Sequence, residues 1–138
     1  MKGNISIYMC YKENSVFLKE ENRDGYIVSA LMKKVWAVEL DLLSELDRVC
    51  KKYNIKYYAA FGTLLGAVRN KGFIPWDDDI DVCMLRDDYA KFKEVAKNEF
   101  GGKYYYQDWY NSCGRTWIFS KLRNSETTAI EYPEKPKE

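Results

Sequence analysis

The sequence contains no histidine, and this absence excludes several kinds of site. Ser-His-Asp and Cys-His catalysis both depend on an imidazole, as does any zinc site that uses a histidine ligand. Cysteines are few: Cys10, Cys50, Cys83 and Cys113 are widely spaced, and none belongs to a CxxC pair. A disulfide framework is therefore not expected, and reduced thiols in a cytosolic protein are the default expectation.

Long apolar runs are also absent. No segment reaches the roughly 18 apolar residues that a membrane span needs, and the N-terminus turns polar too soon for a signal peptide. The formal net charge is only +1, so no global field attracts nucleic acid or an anionic membrane. We expect a cytoplasmic protein without a transmembrane segment or a nucleic-acid partner, with a peripheral position at the inner face of the membrane as the alternative.

The residues that are present fit an ordinary globular protein. A chain of 138 residues suits one small domain, and its 46% apolar and 31% charged residues are typical of such a domain. Aromatic residues are plentiful, with twelve Tyr and four Trp. They are more typical of core packing than of a ligand-stacking surface, because such rings mostly bury apolar area.

Apolar periodicity and turn residues predict alternating helices and strands. The predicted elements are helices at 26–53, 63–69 and 86–100, and strands at 5–11, 55–61, 76–84, 103–110 and 115–123. The predicted apolar stripe of the first helix consists of residues three or four positions apart: Ile27, Leu31, Val35, Val38, Leu42, Leu46, Val49 and Tyr53. Ser29 and Asp24 are both candidate caps for its start, and Asn54 is expected to end it because Asn tolerates a left-handed backbone.

A glycine-plus-hydroxyl step, Gly62-Thr63, lies between a predicted strand and a predicted helix. Such a corner can direct backbone N–H groups at a phosphate, and the alternative is a tight turn in which Gly62 accepts unusual dihedral angles. Arg69 and Lys71 follow closely. They are candidate phosphate ligands, Arg as a bidentate fork and Lys as a point charge, or else ordinary surface charges.

The sharpest signal is the acidic segment that follows. Asp77, Asp79 and Asp81 alternate with other residues on a predicted strand, so Asp79 and Asp81 are expected on one face and Ile80 and Val82 on the other. Two carboxylates about 6.6 Å apart at an effective dielectric near 20 repel by roughly 2.5 kcal/mol. A hard divalent cation such as Mg²⁺ would offset this repulsion and leave room for phosphate oxygens.

Three other interpretations of the acidic segment compete with a magnesium site. The first is a solvated acidic turn. The second is a calcium loop, which matches the spacing of the first three ligands but requires glycine where Val82 stands and tolerates the apolar Ile80 poorly. The third is an N-cap cluster for the next helix, a role that Asp87 suits better.

The motifs around these residues resemble the LicD family of phosphocholine transferases, whose relatives include the fukutin-type phospho-sugar transferases. The resemblance covers about residues 28–130. It is most specific over residues 62–69 (GTLLGAVR) and 72–81 (GFIPWDDDID), and it extends to residues 121–123 and 127–128.

The resemblance implies an α/β (α+β) fold of the nucleotidyltransferase type, with a mixed β-sheet flanked by helices. It implies that Asp79 and Asp81 bind Mg²⁺ (or Mn²⁺), with Asp77 either as a further ligand or as an acid next to the ligands. It also implies that Gly62 and Thr63 bind the nucleotide phosphates. The reaction that it implies moves phosphocholine from CDP-choline to a sugar hydroxyl of a cell-surface glycan. Asp79 and Asp81 would be the catalytic residues, and the candidate base is either Asp81 or the third carboxylate that family members supply from another strand.

The chain departs from the family pattern in two respects. Asn70 stands where many members have histidine. Members usually continue into a segment resembling IDIFPLD, which supplies a third carboxylate. In this chain Glu126 and Glu131 are the possible substitutes for that carboxylate. The expected organisation is an N-terminal segment at 1–25, the family domain at 26–130 and a polar tail at 131–138. Transfer of another phospho-alcohol, and an inactive nucleotide- or metal-binding domain, are the alternatives to phosphocholine transfer.

Overall fold

The computed structural model of this chain describes residues 16–111 and 118–127. Its elements in that part of the chain are β1 (Glu21–Arg23), β2 (Tyr26–Val28), α1 (Ala30–Lys52), β3 (Tyr58–Ala59), α2 (Phe61–Arg69), β4 (Val82–Cys83), α3 (Arg86–Glu99), β5 (Tyr104–Gln107), a 3₁₀ turn (Trp109–Asn111) and β6 (Lys121–Asn124). The predicted α+β class is confirmed. The strands pair antiparallel as β1–β2, β3–β4 and β5–β6. The described residues therefore form three separate two-stranded ladders, whereas the resemblance implies one mixed sheet.

Helix α1 begins later than the periodicity predicts. Its predicted first turn is instead strand β2, which pairs with β1 through a turn where Asp24 and Gly25 both have positive φ. Ser29 then caps the helix, because its hydroxyl oxygen accepts a hydrogen bond of 3.1 Å from the Met32 N–H. Ser29 is therefore the cap, and Asp24 belongs to the hairpin. Asn54 follows the helix with φ of 51°, the left-handed conformation that the sequence predicts.

The buried face of α1 also differs from the predicted stripe. Ile27 is 54% exposed and Leu31 is 72% exposed, because Ile27 lies on the hairpin and Leu31 on the outer face of the first turn. Burial starts at Lys33 and Trp36 and continues along the helix. The main core cluster consists of Leu46, Val49, Cys50, Ile55, Phe92, Ala96 and Tyr106. It joins α1 to α3 and to the β5–β6 ladder.

The two strands predicted around the acidic segment are shorter than expected. Only Tyr58↔Cys83 and Ala59↔Val82 are paired. The reason is that Ala60 is already the N-cap of α2, so β3 ends there and residues 77–81 have no strand beside them. Ala60 still donates its N–H to the Asp81 carbonyl at 3.0 Å. The expected strand at 76–84 is wrong over its acidic half, and the helix predicted at 63–69 begins at Phe61.

The remaining predictions agree in outline. Helix α3 matches the predicted helix, although its N-cap is Leu85 and Asp87 and Asp88 lie in its first turn. The β5–β6 ladder confirms the predicted hairpin over the residues described. The strand predicted at 5–11, the hairpin turn, Cys10, Cys113 and Glu131 lie outside the described residues. Among the described helices, none combines the length and apolar character that crossing a bilayer requires.

Candidate metal centre

Three consecutive carboxylates converge in the acidic loop, defined here as residues 77–81. Asp77, Asp78 and Asp79 each offer one oxygen, and these oxygens all lie within 4.8 Å of one another. Asp81 is not part of that group. The alternation of a strand selects every second residue, whereas in irregular backbone adjacent side chains can face the same point. The run of three Asp residues was the signal that would have included Asp78.

The surroundings of the acidic loop disfavour negative charge. Burial raises the pKa of the half-buried Asp77 carboxyl, and the charges of Asp79, Asp78 and Asp81 raise it further. Burial and the charge of Asp79 likewise raise the pKa of Asp81. The acids are therefore crowded and partly desolvated, the condition that a bound cation relieves.

Glu39 is a fifth acid at this site, and sequence reasoning missed it. It lies on α1, and burial together with the charges of Asp79 and Asp78 raises its pKa to about 7. The backbone N–H of Ile80 opposes this shift by hydrogen bonding to the Glu39 carboxylate. No local pattern distinguishes Glu39 from the other acids of an amphipathic helix, because its partners lie some forty positions along the chain.

Gly62 lies directly against the acidic loop. A Cβ at this position would lie 2.5 Å from Oδ2 of Asp77, so only glycine allows this close approach. The preceding residue, Phe61, has φ of 42°, which marks a strained corner where the chain enters α2. Thr63 adds a second contact, because its hydroxyl oxygen accepts a 2.8 Å hydrogen bond from the Asp81 N–H. The start of α2 and the acidic loop therefore form one unit.

The two predicted phosphate-binding cations lie at the other end of α2. The helix has nine residues, so its ends are about 12 Å apart. Arg69 donates from Nε to Oδ1 of Asn70 at 3.0 Å, and Lys71 donates from Nζ to the Val68 carbonyl at 3.0 Å. Neither contact involves the acidic loop, and a phosphate role for the two cations stays a prediction. Glu126 follows β6, and its backbone N–H donates to Oδ1 of Asn124 at 2.9 Å. A role for its carboxylate stays a prediction.

Comparison with known protein families places the sequence around this site in one of them. The family model described as LicD/FKTN/FKRP, nucleotidyltransferase domain, matches residues 54–133, more than half of the chain. The chain belongs to this family. The match includes α2, the acidic loop and α3, and it confirms the resemblance drawn from the sequence motifs.

Three relatives are similar to the chain, and one of them is described as a LicD protein. The chain is 54% identical over 56 residues to the lipopolysaccharide cholinephosphotransferase LicD of Haemophilus influenzae, covering 41% of this chain and 21% of that protein. It is 34% identical over 119 residues to an uncharacterized protein of Rickettsia prowazekii, covering 85% of this chain and 44% of that protein. An uncharacterized protein of Rickettsia typhi is 36% identical over 89 residues, covering 60% and 29%.

These relatives are longer than the present LicD chain, which spans less than half the length of each of them. No solved structure matches it significantly.

Proposed function

We propose that this LicD-family chain takes part in the Mg²⁺-dependent transfer of phosphocholine, or of a similar phospho-alcohol, from a CDP-linked donor to a hydroxyl of a cell-surface glycan. The glycan class would be a lipopolysaccharide, teichoic acid or capsule. Family membership and the printed activity of the Haemophilus influenzae relative support this proposal. The structural observation that carries it is the convergence of three carboxylate oxygens beside the glycine corner.

The donor set of the acidic loop fits Mg²⁺ or Mn²⁺. Its ligand atoms are hard oxygens, and their mutual distances within 4.8 Å allow one ion to contact several of them. Asp77, Asp78 and Asp79 would hold the ion, and Asp81 remains a proposed further ligand. When bound, the ion would neutralise the charge that develops on the transferred phosphoryl group.

Residues of the chain itself would bind the phosphate and accept the proton of the acceptor hydroxyl. The first turn of α2, at Gly62 and Thr63, presents helix N-terminal N–H groups, which favour anions such as phosphate. During transfer, the acceptor oxygen would form a bond to the phosphocholine phosphorus while the bond to CMP breaks. The acceptor's proton would pass to a base, and we assign that role to Asp81. Its raised pKa suits a group that must take up a proton.

The metal and nucleotide proposal is tested by thermal unfolding. Mg²⁺ with CDP-choline should raise the Tm of the wild-type chain, by an amount equivalent to about 2.7 kcal/mol at 100 times the Kd. The double variant Asp79→Asn/Asp81→Asn should lose this rise, because it removes two negative charges from the site. Asp87→Asn is the matched control, since Asp87 is an exposed acid on α3. An equal rise in the double variant would remove these residues from the site.

A second candidate function is nucleotide or metal binding without turnover. The observation in its favour is that three converging carboxylates beside the first turn of α2 suffice to bind a metal or a nucleotide and do not by themselves require turnover. Release of CMP from CDP-choline by the purified chain separates the two functions. Slow release that is lost in the double variant supports the transferase, whereas binding without any release supports the binding domain.

A further inference from the structure

Helix α1 contacts the backbone of the acidic loop at two positions one turn apart. Trp36 is fully buried, and its indole Nε1–H donates a 2.7 Å hydrogen bond to the Asp77 carbonyl. Glu39 lies three residues later on the same helix, and its carboxylate interacts with the backbone N–H of Ile80. Since residues three apart share one face of a helix, both ends of the loop meet the same face of α1.

Trp36 is itself held rigidly. Its ring stacks on Phe73 with centroids 4.7 Å apart and an angle of 5° between the planes. The Arg23 guanidinium lies 4.9 Å from the ring centroid, and the buried Lys33 ammonium lies 5.1 Å from it. Arg23 also donates to the Phe73 carbonyl at 3.4 Å. An indole fixed by these contacts presents its N–H in one direction, so it can define the position of the carbonyl that accepts from it.

These contacts use only backbone atoms of the loop. The Trp36 indole donates to the Asp77 carbonyl, the Glu39 carboxylate interacts with the Ile80 N–H, and the Thr63 hydroxyl oxygen accepts from the Asp81 N–H. The loop conformation is therefore set without engaging the carboxylates that converge. A loop anchored in this way can present like charges together before any ligand arrives.

We propose that Trp36 and Glu39 are positioning residues that hold the acidic loop in the conformation where its three carboxylates converge on a cation. The cation site itself rests on the proposed function. The positioning role has a signature of its own, because the loop backbone must be more protected from solvent exchange when both anchors are present, whether or not an ion is bound.

The experiment combines amide hydrogen exchange of metal-free protein with Mn²⁺ titration. Trp36→Phe keeps an aromatic ring on Phe73 and removes the N–H donor. We expect faster exchange confined to residues 77–82, and Mn²⁺ affinity about 10-fold weaker, as is typical when a group that orients a metal ligand is lost. Glu39→Ala should also speed exchange at Ile80, whereas Glu39→Gln, which retains an acceptor oxygen, should restore protection there.

Tyr53→Phe is the matched control. It also removes one donor from an aromatic side chain of the α1 region, a hydroxyl that donates to Glu99 at 2.6 Å. It should leave exchange at residues 77–82 and Mn²⁺ affinity as in the wild type.

Three results would overturn the positioning role: unchanged loop exchange in Trp36→Phe, unchanged exchange at Ile80 in Glu39→Ala, or an equal loss of Mn²⁺ affinity in Tyr53→Phe. Should Trp36→Phe fail to fold, the two Glu39 variants decide the question. A wild-type chain that binds no Mn²⁺ would overturn the cation site of the proposed function. The exchange pattern would still decide whether α1 positions the loop.

Discussion

Glu99 and Glu39 are both glutamates on long helices, and their surroundings move their carboxyl pKa values in opposite directions. Hydrogen bonds from Lys52, Tyr53 and Arg48 lower the pKa of Glu99 to about 2. Lys52 Nζ lies 2.6 Å from a Glu99 oxygen, and Arg48 Nη1 lies 3.2 Å from the other. Burial and two neighbouring aspartates instead raise the pKa of Glu39 to about 7.

The difference separates an acid whose negative charge is compensated by neighbouring cations from an acid whose charge is not compensated. At the α1–α3 junction Glu45, Asp47 and Glu99 each form an ion pair with a cation of the same chain, as in a structural ion network. Around the acidic loop, the electrostatic neighbours that shift Glu39, Asp77 and Asp81 are other carboxylates. Folding thus brings like charges together, a pattern that marks functional sites more than structural ones.

The largest effects that sharpen this comparison are expected at two glycines of α2. A Cβ at Gly66 would lie 2.5 Å from the Gly72 carbonyl and 3.1 Å from the Ile74 nitrogen, both backbone atoms. Gly66→Ala should therefore destabilise the fold by roughly 2–3 kcal/mol in urea unfolding. At Gly62 the obstacle is the end of the Asp77 side chain, which can move. Gly62→Ala should keep most of the stability and weaken Mn²⁺ binding by about 10-fold.

Gly101→Ala is the control for both glycine variants, because a Cβ there meets nothing within 4 Å. It should leave both unfolding and Mn²⁺ affinity close to the wild type. Wild-type Mn²⁺ affinity in Gly62→Ala would mean that the Asp77 carboxylate at the corner does not take part in cation binding.

The pH dependence of stability gives a smaller effect of defined sign. Glu39 has an ordinary pKa of 4.5 and a folded pKa of about 7, with Asp78 and Asp79 facing it. Its stabilising contribution is therefore complete below pH 4.5 and lost as the pH rises through 7. The Tm of metal-free protein should fall between pH 5 and pH 8, and saturating Mg²⁺ should reduce the fall.

The variant Glu39→Gln tests whether Glu39 causes this fall, because it cannot ionise. Its Tm should change less than that of the wild type over the same pH range. A wild-type Tm that stays constant or rises from pH 5 to pH 8 without metal would contradict the raised pKa values at the acidic loop.

The sequence identified the residues of this site better than their conformation. The glycine corner and the acidic run were visible because both are local patterns, and the family motifs cover them. Period-two alternation placed Asp79 and Asp81 on one face of a strand, but β3 ends at Ala59 and leaves the acids without a partner strand. Asp78 therefore joins Asp77 and Asp79. The positions of these aspartate side chains depend on where the neighbouring strand ends, and that is decided by the tertiary structure.

Long-range contacts were beyond the reach of sequence patterns. The predicted apolar stripe of α1 omitted Trp36, although that ring is fully buried and donates to the Asp77 carbonyl. The phosphate-binding role of Gly62 stays a prediction, but no sequence pattern indicated that Gly62 lies against the Asp77 carboxylate. In both cases the deciding partner lies fifteen or more positions away, so spacing along the chain carries no information about it.

The smallest expected effect concerns the ion pairs of Glu99 at the α1–α3 junction. Glu99→Gln removes a half-buried charge whose cationic partners, Arg48 and Lys52, are exposed to solvent, so a slight loss of Tm is expected, and 0.5 M salt should reduce the difference from the wild type. Because the folded pKa of Glu99 is depressed, its contribution is present above pH 4.5 and disappears as the pH falls toward 2. This window does not overlap the pH 5–8 range in which Glu39 acts. Mn²⁺ affinity should be unchanged in Glu99→Gln. If this variant weakened Mn²⁺ binding as much as Gly62→Ala, the two acidic regions would be coupled, and pairing would not distinguish a structural cluster from a functional one.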